Sequence, residues 1–198
     1  AIAALAAAAI RLSATHPSMS PGADRSASAH TARPSRGQTA GPTPAEFAAD
    51  DFTIARGLPM AKQITLRVDG QDRTITVDPR KPLLYTLRDE VGLINPRFGC
   101  GLAQCGACTV LLDDRPVRSC VLPTEAAQGA QITTIAGLGT PHKPHPLQTA
   151  YIEEQVPQCG YCSNGFLLTA AALLRVNKRP TDDEIRKALT GIKCRCGT

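Results

Sequence analysis

From Gln63 onward the chain alternates between apolar and polar positions. The stretch QITLRVDGQDRTITVD places Ile64, Leu66 and Val68, then Ile75 and Val77, two residues apart. A period of two is the mark of half-buried strands, and Asp69-Gly70 between the runs predicts a β-hairpin. In PLLYTLRDEVG the period changes. Leu83, Leu84, Leu87 and Val91 fall at helical spacing, with Pro82 suited to the first turn. CTVLLDDRPVRSCVL reads as a second hairpin turning at Asp113-Asp114-Arg115, and ITTI (132–135) as a last strand. After Gly139 the strand signal stops. HPLQTAYIEEQV, SNGFLLTAAALLRV and TDDEIRKALTG all read as helices. The last has a capping box, Thr181 to Glu184, with Pro180 before it and Gly191 after it. The fold class is therefore α+β: a small mixed domain over 60–138, then a helical domain over 139–198. The boundary falls in the Pro/His/Gly-rich segment 137–146, GLGTPHKPHP.

Residues 1–59 have a different character. An alanine-rich opening is followed by a Ser/Ala/Pro/Gly/Thr-rich stretch to about Pro44. Such a composition buries too little apolar surface to offset chain entropy, so this leader is expected to be disordered or non-native. Residues 45–58 are the one place in it where a short helix is expected. As an export signal the leader is weak: no basic region precedes the alanines and no Arg-Arg pair occurs. The expectation is a cytoplasmic protein, with the periplasm as the alternative.

Composition narrows the function. Only 4% of the 198 residues are aromatic and there is no Trp, so the core is modest and an inorganic centre could contribute much of the stability. The net charge of +5 comes without a long basic run, which gives no footprint for nucleic acid. No apolar run approaches membrane-spanning length.

The eight cysteines change the picture most. All lie in the second half of the chain, as two groups of four. The first, Cys100, Cys105, Cys108 and Cys120, has the spacing C-x4-C-x2-C-x11-C. This is the plant-type pattern for a [2Fe–2S] cluster. Four thiolates around two ferric ions and two sulfides leave net negative charge. The loop must turn backbone N–H groups toward sulfur, and Gly99, Gly101 and Gly106 permit that bending. The second group, Cys159, Cys162, Cys194 and Cys196, has the spacing C-x2-C-x31-C-x1-C. An iron–sulfur centre fits it, and structural zinc stays open, although zinc favours wider spacing than Cys-Arg-Cys on its second side. Disulfides are disfavoured for both groups by the one- and two-residue separations.

The segments FGCGLAQCGACTV, SCVLP, ITTIAGLG, QCGYCSNGF and CRCGT, in order, resemble the iron–sulfur small subunit of the molybdenum hydroxylases. That family spans xanthine dehydrogenases and aldehyde oxidoreductases, and the details look nearest to its isoquinoline 1-oxidoreductase and nicotinate dehydrogenase branch. The resemblance covers about Lys62 to Thr198. It implies a ferredoxin-like β-grasp domain carrying an outer [2Fe–2S] cluster on Cys100, Cys105, Cys108 and Cys120. It also implies a four-helix bundle carrying an inner one on Cys159, Cys162, Cys194 and Cys196. The substrate site would lie on a large subunit with molybdopterin cytosine dinucleotide, where an N-heteroaromatic or aldehyde is hydroxylated. This chain would relay electrons onward to a flavin subunit or a c-type cytochrome. Gln158 matches a family residue that hydrogen-bonds the pterin, and Cys196 a ligand that approaches the pterin edge. Family members usually continue past CRCGT, so truncation just after the last ligand is expected here.

Two other functions compete: a zinc-stabilised interaction module, and a free-standing ferredoxin shuttle. The helical second domain disfavours the shuttle, which needs only the first domain. Elsewhere the bland expectations hold the field. His142 and His145 lack the spacing of a metal site. Arg97, Arg115 and Arg118 read as ordinary solvated arginines. No triad, phosphate loop or nucleotide fingerprint appears, so no catalytic residue is assigned to this chain.

Overall fold

The computed structural model describes residues 61–197, and the expectations for the leader lie outside them. The described residues form one mixed five-stranded sheet and a set of helices. β1 (Lys62–Val68) and β2 (Gln71–Val77) make the first hairpin, pairing Lys62 with Val77 and Val68 with Gln71. Asp69 and Gly70 take φ of 51° and 80°, the left-handed pair that a two-residue turn between twisted strands requires. β3 (Thr109–Leu112) and β4 (Arg115–Arg118) make the second hairpin, turning at Asp113 and Asp114, with Arg115 already in the strand. β5 (Gln131–Thr133) inserts between the hairpins, parallel to β1 and antiparallel to β3. The strand order is β2-β1-β5-β3-β4.

α1 (Leu83–Asp89) lies across the sheet, in the β-grasp manner. Its Leu83 and Leu87 join Ile64, Leu66, Val68, Val110 and Ile132 in one core. Burying these side chains, each worth about 1.5–3 kcal/mol, is what the alternating pattern accomplishes. A short 3-10 turn at Thr124–Ala127, not legible in the periodicity, docks on α1 through the buried Thr86–Thr124 hydroxyl pair (2.7 Å).

The last strand differs from the expectation. β5 stops at Thr133, Thr134 is an N-cap, and Ile135 starts a single-turn helix, α2 (Ile135–Leu138). The reason is Asp69. Its carboxylate accepts the Thr134 backbone N–H and the Thr134 hydroxyl, both at 2.7 Å. That pair of bonds turns the chain out of the sheet, and Ile135 and Leu138 pack on the helical core instead. Gly137 makes room for the carboxylate, since a Cβ there would clash with Asp69 Oδ1.

The helical half continues with α3 (Pro146–Glu153), α4 (Ser163–Val176) and α5 (Asp182–Leu189). His145 caps α3: its Nδ1 accepts the Leu147 N–H, while Gln148 Oε1 accepts the His145 N–H. Burial holds the imidazole below its usual range, in the neutral form that can accept. The Thr181–Glu184 box closes α5 as the sequence predicts. Leu147, Tyr151, Phe166, Leu167, Ile185, Leu189 and Ile192 form the core between these helices.

α4 is the element that joins the halves. Every residue from Asn164 to Ala172 is buried. A helix buried all round has neighbours on all sides. One face of α4 meets α3 and α5. The other lays Leu168 and Ala172 against Leu111 of the sheet. No helix among the described residues is long and apolar enough to cross a membrane.

Replacing Asp69 by Ala should leave the Thr134 amide and hydroxyl unpaired. The expected loss is about 1–3 kcal/mol, read as a lower denaturation midpoint. Gly137→Ala should act in the same direction by displacing the same carboxylate.

Candidate metal centres

The first quartet is built on a loop between α1 and β3. Cys100 Sγ accepts backbone N–H groups from Leu102, Gln104 and Cys105, each at 3.3 Å, and Cys105 Sγ accepts the Cys100 N–H at 3.4 Å. Three residues in the left-handed region curl the loop this way: Gly101 (φ 68°), Ala103 (φ 58°) and Gly106 (φ 79°). The Leu102 amide leads the N–H groups that pull the Cys100 thiol down to about 7, so this sulfur is set up as an anion. Cys108 and Cys120 come from the flanks of the second hairpin and pack buried against Leu84. Burial pushes Cys108 up to about 11. A thiolate at that position therefore needs a compensating cation.

The second quartet comes from two turns. Cys159 and Cys162 precede α4, and Cys194 and Cys196 follow α5. All four line one pocket, together with Gln158, Tyr151 and Ser163. Burial pushes Cys162 and the Tyr151 phenol each up to about 12. Cys159, Cys196 and Gln158 stay exposed on the rim. All eight cysteines are free thiols.

These donor sets fit [2Fe–2S] groups. Soft thiolates are the ligands such clusters take, and the first loop already offers the N–H donors that a charged sulfur needs. Among the described residues no three Cys, His, Asp or Glu side chains meet closely enough to hold a single ion. A two-iron centre divides its four thiolates between two irons, so it does not ask for that convergence.

The two loops touch. Lys193, one residue before Cys194, donates its backbone N–H to the carbonyl of Cys105 at 2.9 Å. Asn164 donates its side-chain amide to the carbonyls of Ala107 (2.9 Å) and Thr109 (2.8 Å). A Cβ on Gly165 would come within 2.6 Å of the Gly106 carbonyl oxygen, and one on Gly106 within 2.5 Å of Ile192 Cδ1. Tyr161, inside the Cys-Gly-Tyr-Cys turn, donates its hydroxyl to the carbonyl of Phe98, and Arg97 lies over its ring at 5.1 Å.

Two arginines therefore depart from the solvated reading. Arg97 packs on Tyr161 and donates to Asn95 Oδ1 (2.9 Å), and Arg118 donates to Thr109 Oγ1 (2.5 Å), alongside the space that Gly106 leaves open. Arg115 is exposed, as expected. Asn164, Gly165 and Tyr161 were legible only as neighbours of cysteines. The apolar run of α4, interrupted only by Thr169 between Phe166 and Leu174, was the available signal that its start is covered on two sides.

Among the described residues, fold and donor sets define two iron–sulfur-binding domains packed on each other. Residues 66–134 match the 2Fe-2S iron-sulfur cluster binding domain family, and residues 134–198 the [2Fe-2S] binding domain family. A nicotinate dehydrogenase subunit of Pseudomonas putida is 49% identical over 139 residues, covering 70% of this chain and 88% of the relative. The alpha subunit of isoquinoline 1-oxidoreductase from Brevundimonas diminuta is 46% identical over 132 residues, 66% of this chain and 86% of the relative. Among solved structures, quinoline 2-oxidoreductase from Pseudomonas putida 86 superposes with a TM-score of 0.67 at 37% identity, over 69% of this chain and 85% of that one. Aldehyde oxidoreductase from Desulfovibrio desulfuricans gives 0.65 at 39% identity over 68% of this chain but 15% of that chain, so there the same module is part of a longer polypeptide. The chain belongs to the iron–sulfur small subunits of the molybdenum hydroxylases, and is the iron–sulfur part of an oxidoreductase.

Gly165→Ala tests the seam between the loops. The added methyl has backbone, not a flexible side chain, in its way. It should cost about 1–3 kcal/mol and lower the denaturation midpoint.

Proposed function

We propose that this chain is the electron-transfer subunit of a molybdenum-dependent hydroxylase. In this reading it relays electrons from a large subunit carrying molybdopterin cytosine dinucleotide, through two [2Fe–2S] clusters, to a flavin subunit or a c-type cytochrome. The relatives' names favour an N-heteroaromatic or aldehyde substrate for the whole enzyme. The observation that carries the proposal is the direct hydrogen bond between the two cysteine loops, Lys193 N–H to the Cys105 carbonyl at 2.9 Å. Such contact gives electrons a short, packed path from one thiolate set to the other.

The residues divide the work as follows. Cys159, Cys162, Cys194 and Cys196 hold the inner centre and Cys100, Cys105, Cys108 and Cys120 the outer one. When bound, each cluster accepts and returns one electron at a time. The Leu102, Gln104 and Cys105 amides stabilise charge on Cys100. Gln158 and Cys196, exposed on the rim of the second pocket, face the large subunit with its pterin. Phe98 and Leu102, 45% and 67% exposed beside Cys100, leave the first loop accessible to the acceptor. The domains divide at 60–138 and 139–198, and the three helices of the second part complete a four-helix bundle with the one-turn α2, Ile135–Leu138, which ends the first.

Iron, acid-labile sulfide and EPR on the dithionite-reduced protein provide the test. Four irons, four sulfides and two S = 1/2 signals per chain are expected; zinc in their place would return the chain to a scaffold. Cys108→Ser should remove one signal and block reduction of the external acceptor, while substrate still reduces molybdenum. Full turnover in that variant would sink the relay. Gln158→Ala should keep both signals and slow electron transfer out of the large subunit; an unchanged rate would remove Gln158 from the pterin contact.

A further inference from the structure

Ser163 has a buried hydroxyl that none of the structure's hydrogen bonds uses. It is the first residue of α4, directly after Cys162. Among the described residues, three buried side-chain oxygens lack a hydrogen-bond partner: Ser163 Oγ, Asn164 Oδ1 and Thr169 Oγ1. Of the three residues, Ser163 alone lines the pocket shared by Cys159, Cys162, Cys194 and Cys196. The Tyr151 phenol lies beside it but makes no bond of acceptable geometry. A serine at a helix start ordinarily bonds to local backbone, and a buried orphan hydroxyl is costly enough to call for a partner. Besides the oxygens of Tyr151 and Gln158, the side-chain groups gathered in this pocket and able to accept it are the four cysteine sulfurs.

We infer that the Ser163 hydroxyl donates a hydrogen bond to sulfur in the inner centre and thereby raises that centre's reduction potential. The inference rests on the reading that the second quartet holds a [2Fe–2S] cluster. Reduction there adds one electron, turning one ferric ion ferrous, with no bond made or broken and no proton required. The added negative charge is shared with the sulfurs. A hydrogen bond strengthens as its acceptor gains charge, so an O–H donor favours the reduced form. The N-terminus of α4, a helix of 14 residues, points its dipole in the same sense. That contribution is unchanged when the hydroxyl is removed, so substitution isolates the side chain.

The experiment is an EPR-monitored redox titration of the holoprotein with dithionite as reductant, run on wild type and Ser163→Ala at equal iron and sulfide content. The expected result is a fall in the midpoint of one of the two signals. A tenfold change in its reduction equilibrium corresponds to about 59 mV for one electron. The other signal should not move, and Ser163→Thr should restore the wild-type value. An exchangeable hydroxyl proton coupled to the same signal in wild type should vanish in Ser163→Ala. If Ser163→Ala loses iron, the isosteric pair Ser163→Thr and Ser163→Val carries the comparison, with Val expected below Thr. Equal midpoints within either pair overturn the inference and leave the electron-transfer reading standing. A wild-type protein with one signal overturns the reading itself.

Discussion

The structure depends on the close approach of the α4 N-terminus to the first cysteine loop. At this seam two backbones meet with almost no side chain between them. Gly165 lies on the Gly106 carbonyl, and Asn164 holds the carbonyls on either side of Cys108. Each such hydrogen bond contributes a modest 0.5–1.5 kcal/mol or so. Their larger effect is geometric. They set the register of the two loops from adjacent residues of one helix turn, so Cys162, two residues before Asn164, takes its place relative to Cys108 through a path of only a few bonds.

The seam also explains why the halves need each other. The sheet's core is small, and β3 covers one side of it with Leu111 turned toward α4. α4 in turn is too apolar to stand exposed on the side away from α3 and α5. Each half therefore leaves apolar surface that the other buries, and the cysteine loops sit at the ends of the elements that make this contact. Arg175 of α4 pairs with Asp114 in the turn between β3 and β4, adding a polar tie at the far end of the same interface.

Much of this was legible in the amino-acid pattern. Strand alternation, the two left-handed turns, the Thr181–Glu184 cap and the two cysteine quartets all follow from residue type and spacing, because each depends on neighbours close in sequence. The parts that were not legible depend on partners far away. Ile135 looked like a strand residue until Asp69, 65 residues from Thr134, captured the preceding turn. His145 looked idle, and is a helix cap. Arg97 and Arg118 looked solvated because nothing local reveals the Tyr161 ring or the Thr109 hydroxyl that receives them. Asn164 and Gly165 were hidden for a different reason. Beside a cysteine motif a reader assigns every residue to the metal, whereas these two serve the contact between domains.

That division has a chemical logic. The first loop meets the needs of its sulfurs locally, with its own amides, and so can stay near the surface with exposed Phe98 and Leu102 around it. In the second pocket the Tyr161 backbone N–H leads the groups that pull the Cys159 thiol down, and two of the cysteines lie on an exposed rim. Beyond those groups, the start of α4 lies beside its sulfurs, and the rim leaves the remaining side open. A centre whose surroundings are completed by a second chain has properties that depend on assembly, while one completed by its own loop does not. On this argument the two quartets are unequal by construction: the first is ringed by the amides of its own loop, and the second, with Cys159 and Cys196 exposed, is the one whose surroundings a covering chain would change.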